Sequence, residues 1–227
     1  MRAVAETTFR LRVVYGKKGR LRHLSHLEVA RACERAVRRA GLEYALTQGF
    51  NQRMKVAFGP ALPVGTEGLA EMFDLWLRRL APSAEALEAL RRSSPEGLAP
   101  VGASYVPEGE PSLAAAMTLA DYEVRVKGAV MGPRGLAEAL ADVTTSGSLE
   151  MFHKGATKVY DLARCVPEGV RLSEGEGEAI FQLTVRMGEW GSLRPEALVN
   201  EVLRRAAARC TAVETTRLRR RLEDAGA

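Results

Sequence analysis

The order of predicted strands and helices is the feature of this sequence that most restricts its fold. Alternating apolar residues predict a first strand in TFRLRVVYG, and a helix, two strands, a second helix and the strand in LAPVGASYVPE follow it. The same order begins again at ADYEVRVKG and ends with a closing strand or extended tail in AVETTRLRRRLE. Each half therefore has the order β-α-β-β-α-β of a ferredoxin-like unit. The halves show no close sequence repeat, so the duplication rests on element order alone.

The fold class expected from this order is α+β, with two ferredoxin-like units in tandem and antiparallel sheets that carry helices on one face. We expect a first, basic domain over residues 1–107 and a second domain over residues 117–227. The segment of residues 107–116, PEGEPSLAAA, has the composition of a linker or loop. A chain of 227 residues is long enough to bury a substantial core in either one large or two small domains.

The helix that follows the first strand has signals at both of its ends. Ser25 and Glu28 have the spacing of a capping box, and Gly41 is a typical C-terminal stop. The apolar stripe of this helix is predicted at Leu27, Ala30, Cys33, Val37 and Ala40. Three arginines at i, i+4 and i+7 fall on another face, at Arg31, Arg35 and Arg38.

Positive charge is concentrated in the first quarter of the chain. Residues 1–55 contain 13 Lys and Arg against 4 Asp and Glu, a net charge of +9, whereas residues 56–227 contain 20 against 24, a net of −4. Such asymmetry predicts a polyanionic partner for the first quarter, and nucleic acid is the leading candidate. The alternative is a solvated basic face without a partner.

The loop GKKGRLRHL, between the first strand and the capped helix, gathers several of these cations. Gly16 and Gly19 allow the backbone to turn tightly, and the start of a helix offers free backbone N–H groups and the positive end of its dipole. The loop is therefore a candidate phosphate site, although it has neither a P-loop nor a dinucleotide-binding signature. A charged turn that leads into a surface helix is the alternative.

The segment QGFNQRMKVAFGPALPVG brings amide, cationic and aromatic side chains together between glycines. Side chains of these types can read base edges, hold phosphates and stack on bases. The alternative is a loop whose phenylalanines anchor it in the core. With the preceding loop, this segment predicts a nucleic-acid-binding groove lined by Lys17, Lys18, Arg20, Arg22, His26, Arg35, Asn51, Arg53 and Lys55.

Signals for catalysis, metal binding or a membrane are weak in this sequence. His26 is a candidate acid or base and Asp74, a lone acid in an apolar run, is its candidate partner, but Asp74 could also pair with Arg22 or Arg53 or point outward. His23 and His26 alone do not make a metal site, and the three cysteines are scattered. We therefore expect a non-catalytic protein with no metal or cofactor. No apolar run reaches 18 residues and the N-terminus lacks a signal-peptide core, so we expect a cytoplasmic protein without a membrane span.

Four segments of the chain resemble the radical SAM-linked protein family, a domain of unknown function that is fused to, or encoded beside, B12-binding-type radical SAM proteins. These segments are LRHLSHLEVARACERAVRRAGLEYALTQGFN, KVAFGPALPVGTEGLAEMFDLWL, KVYDL and GSLRPEALV. The matching positions are Ser25, His26, Gly49, Phe50, Asn51, Lys55, Pro63, Gly65, Asp74 and Asp161. The chain departs from the family where QRM stands before Lys55 in place of Pro-His-Pro, so no role of that histidine carries over.

The resemblance implies a radical SAM protein as partner, and it names no reaction for this chain. Together with the charge asymmetry, it leads to the hypothesis of an accessory RNA-binding module, for tRNA or rRNA, that works with a radical SAM modification enzyme. One alternative is a protein–protein scaffold that docks on the radical SAM partner through its basic face. Another is a metal-independent RNA-processing enzyme that uses His26. The chain lacks the three-cysteine cluster motif, so the radical chemistry would belong to the partner.

Overall fold

The computed structural model describes residues 7–130, 135–153, 155–175, 177–188 and 192–221. The fold is mixed α+β, and its strands form antiparallel sheets. The chain divides into two compact units, of which the first ends at Met117 and the second begins at Thr118. No helix in these described ranges has the length and apolar character needed to cross a membrane.

The first unit consists of a four-stranded antiparallel sheet with two principal helices. Its main elements are β1 (Phe9–Lys17), α1 (His26–Arg39), β2 (Val56–Phe58), β3 (Glu67–Leu77), α2 (Ser83–Ser93) and β4 (Pro100–Tyr105). The strands lie in the order β4-β1-β3-β2. Leu11, Val13 and Phe73 lie on the buried face of this sheet and form one core with residues of α1 and α2.

Helix α1 has the predicted ends, and its buried face overlaps the predicted stripe only in part. The Ser25 hydroxyl accepts from the backbone N–H of Glu28, whose carboxylate accepts from the backbone N–H of Ser25, so the capping box is confirmed. The predicted apolar stripe is confirmed at Cys33 and Val37, which are buried, and is wrong at Leu27, which is 57% exposed. The face that packs on the sheet carries Val29, Ala32, Cys33, Ala36 and Val37. Apolar residues of this helix occupy more than one face, so the pattern alone does not select the buried one, whereas the sheet packs on the face with both valines.

The predicted linker is packed against the first unit. It contains the short helix α3 (Leu113–Ala116), whose Leu113 and Ala116 side chains are buried. The Arg10 guanidinium, on the sheet face opposite the helices, donates hydrogen bonds to the carbonyl oxygens of Glu110 at 2.7 Å and Pro111 at 2.9 Å. The segment therefore covers part of the sheet instead of running free through solvent.

The second unit repeats the element order with one added hairpin. Its elements are β5 (Leu119–Lys127), α4 (Leu136–Thr145), β6 (Ser148–His153), β7 (Ala156–Asp161), α5 (Leu162–Cys165), β8 (Val170–Gly175), β9 (Glu178–Arg186), α6 (Pro195–Arg205) and β10 (Ala212–Arg221). Four of these strands pair in the order β10-β5-β9-β8, and β6 pairs with β7 as a separate hairpin. The closing segment is thus a strand as far as Arg221.

Candidate functional site

The loop after β1 has a fixed shape because its backbone is bonded to neighbouring segments. The N–H of Lys18 donates to the carbonyl oxygen of Gly97 at 2.9 Å, and the N–H of Gly19 donates to the Glu67 carboxylate at 2.8 Å. A side chain at Gly97 would place its Cβ 2.8 Å from the Lys18 carbonyl oxygen, so only glycine permits this approach. Since these loop N–H groups already have acceptors, an anion here would be held by side chains rather than by the expected backbone cradle.

A surface groove of about 540 Å³ lies beside this loop. Its lining includes Lys18 and Arg20 together with Glu96, Gly97 and Val101. Both cationic side chains are exposed, and neither has a hydrogen bond or ion pair to any residue that the structure describes. The groove therefore presents two available positive charges at the end of β1, and one carboxylate, that of Glu96, is also part of its lining.

Lys17 lies inside the unit and not in this groove. Its side chain follows Tyr15 on the buried face of β1 and is only 2% exposed. It lines a cavity of about 10 Å³, room for roughly one water molecule, with Tyr15, His26, Glu71 and others. The strand alternation that starts at Phe9 could have indicated this position, because it extends through Lys17 as well as Tyr15.

Arg22 and His26 both have neighbours within the unit. The Arg22 guanidinium donates to His23 Nε2 at 3.2 Å and lies 3.9 Å from the Glu67 carboxylate. His26 is the first residue of α1, is exposed, and meets the ring of Phe58 edge-on with centroids 5.7 Å apart. The histidine is thus available at the surface, on the helix-bearing side of the sheet.

Asp74 is buried on the other face of the sheet, where two arginines hold it. Its carboxylate accepts hydrogen bonds from Arg10 Nε at 2.8 Å and from Arg12 Nε at 2.8 Å. The predicted alternative that Asp74 pairs with Arg22 or Arg53 is wrong. Strands β1 and β3 pair in a register that places Arg12 directly opposite Asp74. Residues on opposite faces of a sheet cannot share a proton, so Asp74 and His26 do not form a catalytic pair.

The segment after α1 forms a hairpin whose tip contains the GFN sequence. Leu46 pairs with Met54, the N–H of Thr47 donates to the carbonyl oxygen of Arg53 at 2.7 Å, and the N–H of Arg53 donates to the Thr47 hydroxyl at 3.1 Å. Asn51 and Arg53 are exposed, and the Arg53 guanidinium has no ion pair or hydrogen bond to the described residues.

The two phenylalanines of this segment have different environments, and its lysine contacts a tryptophan of β3. Phe50 at the hairpin tip is completely exposed, at 103%. Phe58 packs on Phe73 with ring centroids 5.4 Å apart. The ammonium group of Lys55 lies 5.0 Å from the ring centroid of Trp76, in the geometry of a cation–π contact.

The nine residues predicted to bind nucleic acid do not share one groove. Lys17 pairs with Gly68 at the start of β3, whereas Tyr44 at the hairpin base pairs with Leu77 at its end. Nine residues of strand separate these points by about 30 Å. Helix α1 leads from the loop to the hairpin and carries Arg35, which is exposed and has no charged or hydrogen-bonding partner in the described ranges. The surface cations thus form three groups: the loop, the helix and the hairpin.

The second unit contains an acidic and basic cluster that the sequence did not indicate. Asp121 accepts hydrogen bonds from Arg219 at 2.7 Å and from the Thr184 hydroxyl at 2.9 Å. Burial raises the pKa of Asp121, but these hydrogen bonds and the charge of Arg221 outweigh it, so the pKa is below its usual value. In the described parts of both units, no group of three or more His, Cys, Asp or Glu residues is arranged to hold a metal ion.

Comparison with known proteins gives a family and distant structural likenesses. The model of the family described as "Uncharacterized protein conserved in bacteria (DUF2344)" matches residues 10–195. No curated protein matches the sequence. A chain of an H/ACA RNP bound to a substrate RNA containing 2'-deoxyuridine is 14% identical with a TM-score of 0.47, over 94% of this chain and 49% of that one. An unknown protein from Galdieria sulphuraria is 10% identical with a TM-score of 0.29, over 93% of this chain and 99% of that one. The chain thus spans about half the length of the first of these structures.

Proposed function

The chain belongs to the DUF2344 family of proteins conserved in bacteria, and we propose that it is an RNA-binding accessory module whose first unit holds the RNA. The RNA class is tRNA or rRNA, and the place of action is the cytoplasm. One observation carries the proposal: several exposed cationic side chains of the first unit have no ion pair or side-chain hydrogen bond among the described residues. Among them are Lys18, Arg20, Arg35 and Arg53.

The charge balance of the two units supports this assignment. Residues 1–117 contain 17 Lys and Arg against 12 Asp and Glu, a net of +5, whereas residues 118–227 contain 16 of each. The first unit does contain surface carboxylates that form ion pairs with other cations, as Glu34 does with Arg38 and Glu88 with Arg91. Cations that remain unpaired on a net positive unit favour a polyanion, because each phosphate contact releases condensed counterions.

The three groups of surface cations are distributed along the length of β3. Loop residues Lys18 and Arg20 lie near the start of that strand, and Arg53 lies near its end. The separation of about 30 Å corresponds to about nine nucleotides of a stacked strand at 3.4 Å each. An RNA segment of that length could contact all three groups, so separate sites would act as one extended interface.

The proposed architecture is two ferredoxin-like units in tandem. It is supported by the repeated order β-α-β-β-α-β and by the strand orders β4-β1-β3-β2 and β10-β5-β9-β8, in which the first strand of each unit is central. The fold alone assigns no function, because one fold supports many activities.

The accessory role is proposed from the sequence resemblance to the radical SAM-linked family. In this role the chain presents RNA to a radical SAM modification enzyme, which performs the chemistry. Affinity-tagged chain should retain that enzyme from cells in an RNA-dependent manner. Retention that survives nuclease and moderate salt would instead favour a scaffold that docks directly on the enzyme.

The RNA-binding proposal is tested with two matched sets of charge-removing substitutions. The first set is Lys18→Gln, Arg20→Gln and Arg35→Gln together. The control set is Arg171→Gln, Arg194→Gln and Arg209→Gln, which removes three exposed arginines of the second unit that likewise lack side-chain partners among the described residues. Binding of fluorescein-labelled tRNA and of rRNA fragments is measured by fluorescence anisotropy over a series of NaCl concentrations.

We expect the first set to weaken binding about 100-fold, because three phosphate contacts contribute up to about 1 kcal/mol each. The slope of log K against log salt should fall by about 2 to 3. The control set should stay within about threefold of the parent chain, and circular dichroism should show that both variants are folded. Absence of salt-sensitive binding in the parent chain, or an equal loss in the control set, would overturn the proposal.

A further inference from the structure

Phe50 is the most exposed large hydrophobic side chain in the described part of the protein. Its exposure is 103%, compared with 77% for Phe152, the next in that order. Burial of a phenylalanine ring removes a large apolar area from water, so a ring that is fully exposed forgoes that stabilisation in the isolated chain. The neighbouring phenylalanines, Phe58 and Phe73, pack against one another.

The ring extends from a hairpin whose base is packed and hydrogen-bonded. Ala45 and Met54 at the hairpin base are buried, and Leu46 pairs with Met54 across it. Two hydrogen bonds join Thr47 and Arg53 just below the tip. Gly49, next to Phe50, has a φ of +130°, a conformation that other residues rarely adopt. The tip therefore presents the ring outward from a defined base.

The residues around the ring are suited to RNA. Amide side chains at Gln48, Asn51 and Gln52 can bond to base edges, and Arg53 offers a charge for an adjacent phosphate. The sequence contains no aspartate or glutamate from residue 44 to residue 66, so this segment adds no local carboxylate that would repel a phosphate. A ring that docked in a protein pocket would more often be surrounded by further apolar side chains, which this tip does not offer.

From these observations we propose that Phe50 is a stacking platform for an unpaired base of the bound RNA, with Arg53 on a neighbouring phosphate. The ligand is single-stranded RNA, in a loop or at an end, because bases within a duplex are already stacked and do not offer a free face. This inference rests on the proposed function and specifies which form of RNA the hairpin recognises.

The test compares Phe50→Ala and Phe50→Trp with Phe152→Ala, which removes the exposed phenylalanine of the hairpin formed by β6 and β7 in the second unit. Each variant is titrated by anisotropy with a labelled single-stranded 20-nucleotide RNA and with the same RNA in a duplex. We expect Phe50→Ala to weaken single-strand binding about 10-fold and to leave duplex binding unchanged. Phe50→Trp should retain the parent affinity, and Phe152→Ala should have no effect.

The outcomes separate this inference from the function on which it rests. Salt-sensitive binding by the parent chain, with Phe50→Ala equal to the parent on single strands, would overturn the stacking role and leave the RNA-binding proposal standing. Loss of a protein partner in Phe50→Ala with unchanged RNA binding would also overturn it, in favour of protein docking. No RNA binding by the parent chain would overturn both proposals together.

Discussion

The two units share one element order but differ in the balance of their charged residues. In the second unit, arginines and lysines of the sheet form ion pairs, as in Arg125 with Glu178, Lys127 with Glu214 and Arg219 with Asp121. Both units also have exposed cations without a partner among the described residues, but residues 1–117 have a net charge of +5, whereas residues 118–227 have equal numbers of cations and carboxylates. The units therefore differ in charge balance although the order of their strands is the same.

A second difference concerns the carboxylate on the sheet of each unit. Asp74 is buried, and the side chains of Arg10 and Arg12 that hold it are only 16% and 14% exposed. Asp121 is held by Arg219, whose side chain is 69% exposed. The sheet carboxylate of the first unit is therefore held by largely buried partners, whereas that of the second unit is held by an exposed one.

The largest expected effect on stability distinguishes these two carboxylates. Asp74→Asn removes the charge that two largely buried guanidinium groups require, so we expect a loss of about 3 kcal/mol in the free energy of unfolding. Asp121→Asn should cost about 1 kcal/mol, because water screens its more exposed partner. Urea denaturation of the full chain measures both, and an equal or reversed order would contradict the comparison.

An intermediate effect is expected at the start of α1. Ser25→Ala removes one half of the capping box, and the free energy of unfolding should fall by about 1 kcal/mol. RNA affinity should stay unchanged below the melting transition, because the cations of the loop and helix remain. Anisotropy and denaturation on the same preparation test this separation of stability from binding, which a parallel loss of affinity would contradict.

The smallest effect concerns acid stability in the second unit. Hydrogen bonds from Arg204 and Arg205, which exceed the opposing effect of burial, lower the pKa of Glu201 from 4.5 to about 2. A carboxylate with a lowered pKa stabilises the fold above its unfolded pKa and loses that contribution as pH falls through the folded value. Between pH 5 and pH 2, Glu201→Gln should therefore lose less stability than the parent chain. Identical pH profiles in denaturation would exclude this contribution.

Local features of the fold could be predicted because short segments determine them. The alternation in β1, the capping box of α1 and the order of elements all depend on residues within a few positions of one another. The packed face of α1 depends instead on the sheet, and the partners of Asp74 lie 62 to 64 residues away. No local pattern contains that register.

The composition of the candidate site could be read from the sequence, but its arrangement could not. Charge counts place the excess of cations in the first part of the chain, and Lys18 and Arg20 line the groove beside the loop. Spacing could not show that the hairpin starts at the far end of β3 from the loop. The GKKG sequence predicts a turn that includes Lys17, whereas β1 continues through this residue.

Ultraviolet crosslinking of bound tRNA, followed by mass spectrometry of the crosslinked peptides, tests the central claim most directly. The proposed interface predicts crosslinks in the loop and α1, residues 16–39, and in the hairpin, residues 45–55. Their yield should fall steeply as salt is raised. Crosslinks concentrated in the second unit, residues 118–221, or a yield that does not depend on salt, would contradict the claim.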